Sequence, residues 1–431
     1  MKQILIQNGQ LFILALLLFV GAGLGGELVG IVLVGLAAIL LKRRGWVSEL
    51  FILFLIILVF SDNRIFLFDF AENGKIVYIV LLFGFFLFDR SSLPIQSRVF
   101  NYFIPFLSIA LVLVYWSEEP FIAFQKTISY GLILLLVPNY FLEAYHEEGS
   151  IFLKKLLYTV LVILSVGLLL YPAFPEFAIT EGRYRGMFGN PNGVGIFSAL
   201  SFIFFTVVLH IYPNLFSKHE KWVFYGVFFL SLYLCASRSA LFTIFIFLGF
   251  LPIYRSFPFL GFIAFLVLVM GSQYITTNLP SIVRSLGLEE YFRVKTLEEG
   301  SGRFIAWNFA WQHIKENMAF GKGFNHTVHL FGAKQEYLNK LGHQGNAHNS
   351  FLTFWLDTGL YGLMAYLIAF FTLFIKAGKQ HPIAVPAMFG FLFSATFESW
   401  LTASLNPYTI IFLMTIALLT YPVEETEEED D

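Results

Sequence analysis

Two arginines stand two residues apart in the segment EGRYRGMFGNPNGVG, residues 181–195, where a long apolar run begins. Arg183 and Arg185 would bring two planar guanidinium groups together, and guanidinium binds phosphate oxygens through paired hydrogen bonds. Asn190 and Asn192 follow in a Gly/Asn/Pro cluster that precedes the apolar run. The segment therefore indicates a binding site for an anionic ligand at the end of an apolar helix.

Three later segments carry residues suited to the same chemistry. Arg238 lies in CASRSAL, Arg303 lies in GSGRFIAWNFAW, and His348 and Asn349 lie in GNAHNSFLTFW. An imidazole whose pKa is near neutrality suits removal of a proton from a hydroxyl group. These arginines could hold a diphosphate that is attached to a lipid at the membrane surface, and the histidine could act as a base toward a hydroxyl group.

A metal site is the alternative use of the histidines. Five of the chain's nine lie close together in sequence, namely His313, His326, His329, His343 and His348. None of them forms a motif such as H-E-x-x-H, and carboxylates are not interleaved with them. No D-x-D motif lies near them to hold a metal-bound nucleotide diphosphate. The spacing therefore predicts no metal and no cofactor.

The elements that position these residues are membrane helices. The chain of 431 residues is 58% hydrophobic and 13% charged, with a mean hydropathy of +0.74, whereas soluble domains carry roughly 25% charged residues. Continuous apolar runs recur along nearly the whole chain. This pattern predicts an all-α polytopic integral membrane protein, and the continuous runs do not resemble the alternating strands of a transmembrane barrel. The single cysteine, Cys235, excludes an intrachain disulfide.

Apolar runs of near-spanning length predict about fourteen transmembrane helices. They lie near 8–24, 27–41, 47–61, 75–89, 99–116, 120–141, 153–171, 193–212, 222–236, 239–253, 257–272, 351–375, 382–398 and 407–421.

Lysine and arginine set the predicted orientation, because they concentrate on the cytoplasmic side of short loops. With the N-terminus inside, thirteen of these cations fall on inner segments, and five fall on short outer ones: Arg64, Lys75, Arg183, Arg185 and Arg238. Both termini are then cytoplasmic. Segments 172–192 and 273–350 are periplasmic, so Arg183 and Arg185 share a face with the long loop.

The long loop predicts one amphipathic helix. Phe304, Trp307, Trp311 and Ile314 recur at helical spacing after Ser301, a candidate helix cap. We expect this helix to lie on the membrane surface with Trp307 and Trp311 at headgroup depth and Arg303 in its first turn. Plain anchoring at the interface is the alternative reading of the same pattern.

The chain divides into three predicted parts. Residues 1–171 form N-terminal transmembrane helices, and residues 172–421 form the region that carries the candidate site, including the periplasmic loop 273–350. Residues 422–431 form an acidic cytoplasmic tail.

The ordered segments RYRGMFGNPNGVG, SRSAL, GSGRFIAWNFAWQHIKENMAFGKGFN and AHNSFLTFWLDTGLYG together resemble the O-antigen ligase and Wzy polymerase superfamily. The resemblance covers about residues 180–370. It implies a GT-C-like fold in the bacterial inner membrane and a metal-independent, inverting glycosyltransferase with its active site at the periplasmic face. The implied donor is a glycan linked to undecaprenyl diphosphate.

The resemblance also implies roles by position. Arg185 and Arg303 would bind the donor diphosphate, and His348 would act as general base or orient the acceptor. Arg183 lies only two residues before Arg185, so either arginine is a candidate for the one that binds the diphosphate. Arg238, Asn190, Asn192, Asn349 and Trp307 complete the predicted substrate-binding set.

Three functions remain open at this stage. A polymerase would join lipid-linked repeat units, and a Wzz-like chain-length regulator is a candidate partner for it. A ligase would move the finished chain to lipid A core. A transporter or flippase for polysaccharide or its lipid-linked form is the third, although the sequence shows no convincing inverted repeat. We favour the polymerase, and we expect membrane lipid and no nucleic acid among the partners.

Overall fold

A computed structural model describes residues 2–63, 68–89, 97–256, 302–343 and 345–422, with a few isolated positions between 257 and 301. The described chain is almost entirely helical. Its helices are α1 (Lys2–Arg43), α2 (Val47–Asp62), α3 (Asp69–Asp89), α4 (Val99–Leu113), α5 (Pro120–Glu148), α6 (Ser150–Ala173), α7 (Pro175–Ala178), α8 (Pro191–Ile211), α9 (Lys218–Cys235), α10 (Arg238–Ser256), α11 (Arg303–Glu316), α12 (His326–Ala333), α13 (Gln335–Lys340), α14 (Ser350–Gln380), α15 (Ala384–Phe397) and α16 (Pro407–Thr420).

Two short strands and two 3₁₀ turns complete the described structure. The strands β1 (Ile179–Thr180) and β2 (Arg183–Tyr184) form an antiparallel hairpin. The 3₁₀ turns are Val114–Trp116, which extends α4, and Trp400–Thr402, which lies between α15 and α16.

Seven helices within the described residues are long and apolar enough to cross a membrane, and the helices at 238–252, 384–397 and 407–420 are apolar but shorter. The multi-pass, all-helical architecture expected from composition is therefore present. The predicted number of about fourteen spans stays a prediction, and the predicted span at 257–272 lies almost wholly outside the described residues.

Gly26 turns α1 back on itself. Its φ of 80° and ψ of −179° interrupt the helix, and only glycine adopts this region without strain. A Cβ atom at Gly30 would lie 2.7 Å from that of Ala22, whereas eight residues of straight helix span about 12 Å. The two predicted segments 8–24 and 27–41 are therefore the two arms of one helical hairpin.

Gly359 reverses α14 in the same way, with φ 69° and ψ −178°. The rings of Phe354 and Tyr366 lie 4.3 Å apart, although twelve residues of straight helix would separate them by about 18 Å. The run predicted as one span, 351–375, is thus a short arm up to residue 358 and a longer arm from 360 to 380. The short arm leads out of the candidate site, so this reversal decides what surrounds it.

The centre of the bundle consists of α2, α8 and α16. Nearly every side chain of α16 is buried, and α8 is the most buried of the seven candidate spans. Their ends meet at one place, because a Cβ atom at Gly193 would lie 2.6 Å from the hydroxyl of Tyr408 and 3.2 Å from a carboxylate oxygen of Asp62. The end of α2 and the beginnings of α8 and α16 therefore pack closely together at one end of the bundle.

Candidate active site

A tight hairpin presents the two opening arginines. The register pairs Thr180 with Arg183, which leaves a loop of two residues, and both Glu181 and Gly182 have positive φ. Two positive φ values are the signature of a type I′ turn, which matches the twist of a hairpin. The turn fixes where β2 begins and therefore the backbone positions from which the side chains of Arg183 and Arg185 extend.

The guanidinium of Arg183 binds the C-terminal end of α9. Its Nε and one terminal nitrogen donate to the carbonyl oxygen of Cys235 at 2.9 and 2.7 Å, and the same terminal nitrogen donates to Asn192 Oδ1 at 3.2 Å. The last carbonyls of a helix have no partner within the helix, and a cation stabilises the negative end of its dipole. Arg183 therefore joins the hairpin to α9 and to the first turn of α8.

Arg185 is held differently. Its Nε donates to the carbonyl oxygen of Phe177 at 2.9 Å, and its backbone nitrogen donates to that of Ala178 at 2.8 Å. Burial lowers the pKa of this half-buried guanidinium, which nevertheless stays charged at neutral pH. The hydrogen bond from Nε thus positions the Arg185 side chain without using the two terminal nitrogens of the guanidinium.

The asparagines near these arginines support the backbone. Asn190 caps α8 by accepting from Gly193 N at 2.9 Å, and Asp62 accepts from Gly189 N at 3.0 Å. Arg238 begins α10, where a Cβ atom at Gly195 would lie 2.6 Å from that of the adjacent Ser237. Arg238 is therefore placed against the first turns of α8, on the same side of the bundle as the hairpin.

The other predicted residues converge on Glu398, which the sequence did not indicate as part of a site. A terminal nitrogen of Arg303 lies 2.7 Å from one carboxylate oxygen of Glu398, and Nδ1 of His348 lies 3.5 Å from the other. The Glu398 side chain is only 8% exposed, whereas that of His348 is 32% exposed. One buried carboxylate therefore joins the arginine and the histidine.

The charge of Arg303 favours the ionised form of this carboxylate. A guanidinium nitrogen 2.7 Å away supplies a counter-ion that offsets part of the cost of burying the negative charge. An ionised Glu398, with an oxygen 3.5 Å from Nδ1 of His348, favours a proton on that nitrogen. That interaction favours the tautomer whose Nε2 is free to accept a proton.

Two neighbours hold His348 in place. Trp307 donates from Nε1 to the carbonyl oxygen of Ala347 at 3.0 Å, and Asn349 caps α14 by accepting from Phe351 N and Leu352 N. His348 itself has a φ of 45° and does not cap the helix. Trp307 and Asn349 therefore act, in this structure, by positioning the backbone on either side of the histidine.

The predicted helix of the long loop is α11, and it begins at Arg303 as expected. Its buried side consists of Ala306, Phe309, Ala310 and Ile314. The predicted membrane face is therefore wrong for Ile314, which packs inside the protein, while Phe304 and Trp311 remain 38% exposed. The candidate cap Ser301 lies outside the described residues.

Asp357 fastens the loop to α14. Its carboxylate accepts from the backbone nitrogen and hydroxyl of Thr327, both at 2.7 Å, and from Asn325 N at 3.0 Å. The carboxylate therefore satisfies donors at the beginning of α12, which would otherwise have no partner within the helix. This bond ties the loop to the short arm of α14 that follows His348.

The remaining loop histidines lie apart from this site. His326 and His329 face Glu118, at 3.6 and 3.2 Å, around a cavity of about 130 Å³. His343 lies nearer, with its ring 5.9 Å from that of His348. Within the part of the chain that the structure describes, no group of three or more His, Cys, Asp or Glu residues is arranged to hold a metal ion.

The Glu398 site lies below the first turns of α5. Tyr130, about 15 Å along α5 from its beginning at Pro120, donates to the carbonyl oxygen of Leu401 at 2.8 Å. The hydroxyl of Ser350 in turn accepts from Leu401 N and donates to the carbonyl oxygen of Glu398. The site is therefore recessed into the bundle.

The first turn of α16 connects the arginine hairpin with Glu398. Phe188 stacks on Tyr408 with ring centroids 6.4 Å apart, and Asn406 donates to the carbonyl oxygen of Trp400 at 3.1 Å. The loop after Arg185 and the turn after Glu398 thus pack against the same helix end.

The comparisons with known proteins give one family match. Residues 223–367 match the family model described as O-antigen ligase. This part of the chain, 145 of 431 residues, is similar to the O-antigen ligase family. The matched region runs from α9 into the long arm of α14 and contains Arg238, Arg303 and His348, while Arg185 and Glu398 lie outside it. No curated protein matches the chain.

The O-antigen ligase family match and the seven apolar helices support a multi-pass membrane protein with a ligase- or polymerase-type function. The superfamily expected from the sequence motifs is therefore confirmed. For this family the substrates are in general lipid-linked polysaccharide and lipid A core.

Proposed function

We propose that this protein transfers a glycan from undecaprenyl diphosphate to a sugar hydroxyl at the periplasmic face of the bacterial inner membrane. The observation that carries the proposal is the single buried carboxylate of Glu398, which contacts Arg303 through one oxygen and His348 through the other. Arg303, a cation for the departing diphosphate, and His348, a base for the attacking hydroxyl, therefore contact the same carboxylate.

The donor side of the reaction needs positive charge. Diphosphate is a good leaving group once its developing charge is stabilised, and fixed guanidinium groups provide this without a metal. We assign this role to Arg185 and Arg303. Arg183 is the weaker candidate because its guanidinium already binds the last carbonyls of α9.

The acceptor side needs a base. In the proposed reaction the acceptor oxygen forms a bond with the anomeric carbon on the face opposite the diphosphate, so the configuration inverts. His348 Nε2 takes the proton of that hydroxyl, while Glu398 holds Nδ1 and stabilises the imidazolium. The bond from the anomeric carbon to the diphosphate oxygen breaks, and undecaprenyl diphosphate leaves.

The recessed position of the site suits a lipid-linked substrate. A diphosphate attached to an undecaprenyl chain is held near the membrane surface. The Glu398 turn packs against α5 at Tyr130, so a donor bound there would have its diphosphate among the helices while the sugars extend away from the membrane.

Polymerase and ligase differ only in the acceptor, and we favour the polymerase. The ligase is the second candidate because the matched family model is described as O-antigen ligase. The match gives no support for a Wzz-like regulator, which stays a prediction that depends on the polymerase assignment.

Deletion of the gene followed by analysis of surface polysaccharide distinguishes these functions. A polymerase deletion should leave single repeat units on the cell surface, whereas a ligase deletion should leave long glycan on undecaprenyl diphosphate. Complementation with the unaltered gene should restore the ladder. A normal pattern after deletion would reject both. Loss of lipid-linked intermediate from the periplasmic face would instead favour the transporter.

A further inference from the structure

A second cavity lies at the opposite end of the bundle from Glu398. Its volume is about 630 Å³, and it lies between the beginning of α4, the end of α14 and the end of α16. Helix α16 starts beside the Glu398 turn and ends here, so about 20 Å of helix separates the two sites. The lysine and arginine bias places this end on the cytoplasmic side.

Three cations line this cavity, which we call the basic cleft: Arg98, Lys376 and Lys379. Lys376 donates to the hydroxyl of Tyr102 and lies 5.0 Å from the centre of its ring. Among the described residues, none of the three has a carboxylate within ion-pair distance. The basic cleft therefore has a net positive charge that the described protein does not neutralise.

The walls between these cations are largely apolar. Val99, Leu142, Leu373, Tyr421 and Pro422 contribute to them. A ligand that uses the whole surface must therefore carry negative charge at one end and apolar groups at the other. A free anion would leave the apolar walls in contact with water, which burial of acyl chain or glycerol backbone would avoid.

We propose that the basic cleft binds the headgroup of an anionic phospholipid from the inner leaflet. Basic pockets between membrane helices on the cytoplasmic side suit such headgroups, and each cation near the surface contributes about 1 kcal/mol of attraction. The phosphate lies between Arg98 and Lys379, and the glycerol and upper acyl chain lie along Leu142 and Leu373. This proposal does not depend on the proposed transfer activity.

The chain's own acidic segment is a competitor for the same cations. Residues 423–431, VEETEEEDD, follow directly after Pro422 and carry seven carboxylates. Tethering gives such a segment a high effective concentration at the cleft, but it offers almost no apolar surface to the walls. Removal of residues 423–431 should therefore strengthen lipid binding.

Native mass spectrometry of the purified full chain tests the proposal, with phosphatidylglycerol and phosphatidylcholine of identical acyl chains as probes. We expect retained phosphatidylglycerol to exceed phosphatidylcholine at least tenfold. The double variant Arg98→Gln, Lys379→Gln should reduce that preference to near unity. The matched control Lys218→Gln, Lys221→Gln, at another predicted cytoplasmic loop, should keep it. Melting temperatures without added lipid show whether each variant is folded.

A shortened chain that ends at Pro422 completes the experiment. Stronger retention of phosphatidylglycerol by this chain supports the proposal and identifies the tail as a competitor. The proposal is overturned if neither chain distinguishes the two lipids, or if the double variant and its control retain phosphatidylglycerol equally. In both cases the cations serve only to orient the protein in the membrane.

Discussion

Arg303 and His348 contact opposite oxygens of the same carboxylate, although 45 positions separate them in the chain. Glu398 lies 2.7 Å from the first and 3.5 Å from the second. The arrangement couples the group proposed for the donor with the group proposed for the acceptor. Loss of the carboxylate would leave a largely buried guanidinium without its counter-ion and an imidazole without its orientation.

The Glu398→Gln variant tests this coupling. Glutamine keeps the shape but removes the charge, so the proton on the imidazole is no longer directed to Nδ1. We expect transfer to fall by about 10²-fold or more, the contribution of a positioned base. Turnover of purified lipid-linked donor measures the effect. Glu336→Gln, at an exposed position of α13, is the matched control, and equal rates for the two variants would contradict the assignment.

Arg183 and Arg185 form a matched pair for separating structure from binding. Arg185→Lys keeps the charge but loses the planar fork, so we expect weaker donor binding, seen as a raised KM or lost transfer, with a smaller fall in melting temperature than Arg183→Lys because only one bond is lost. Arg183→Lys should lower the melting temperature, because lysine cannot reproduce the paired bonds to the end of α9. Donor titration and thermal unfolding of both variants give the answer. The reverse pattern would exchange the two roles.

His348→Asn removes the imidazole with little strain. The residue has a φ of 45°, a region that asparagine tolerates better than most residues, and the cap of α14 is supplied by Asn349. We therefore expect a folded protein that binds donor but has lost about 10²–10⁴-fold in transfer. Complementation of the deletion strain at matched membrane expression is the cellular measurement. A restored polysaccharide ladder would show that His348 is not the base.

Acid should loosen the attachment of α12. Burial lowers the pKa of His326 to about 4, with weaker effects from Glu118, Lys322, His329 and His313. A histidine whose pKa falls on folding stabilises the fold above its ordinary pKa of about 6.5, and this stabilisation is lost as pH falls towards 4.

Hydrogen exchange of α12, corrected for the intrinsic rate, should therefore show decreasing protection between pH 6.5 and 4.5. His326→Gln should reduce this dependence. Burial raises the pKa of Glu118, but Lys322 and the neighbouring histidines outweigh it and lower the pKa, so the stabilisation from Glu118 is lost only below about pH 4.5. Protection that does not change with pH would refute the prediction.

Orientation has a direct test in a background where Cys235 is replaced by serine. Single cysteines at the exposed positions Glu176 and Lys340 should react with an impermeant thiol reagent on intact spheroplasts. A cysteine at Lys218 should react only after lysis. Reaction of Lys218→Cys on intact cells, with the other two protected, would reverse the topology and move the proposed site to the cytoplasm.

The sequence by itself determined the class of protein and supplied most of the residues of the candidate site. Apolar runs of spanning length admit only helices in a membrane, because each helix satisfies its own backbone hydrogen bonds. The helix that begins at Arg303 was predictable because its apolar residues recur at helical spacing. His348 and the arginines were predictable from their chemistry at the ends of apolar runs.

Only the tertiary structure decided which of these groups lie together. Glu398 ends an apolar run in FESW, as many solvated carboxylates do, and its contacts with Arg303 and His348 join positions 95 and 50 residues away in the chain. Arg183 and Arg185 have the same residue type and nearly the same sequence context, and only their acceptors differ. Nothing in the sequence around Gly359 distinguishes it from other glycines in apolar runs, and only its positive φ shows that the helix α14 reverses direction there. Contacts between distant residues leave no periodic pattern in sequence, so packing alone assigns them.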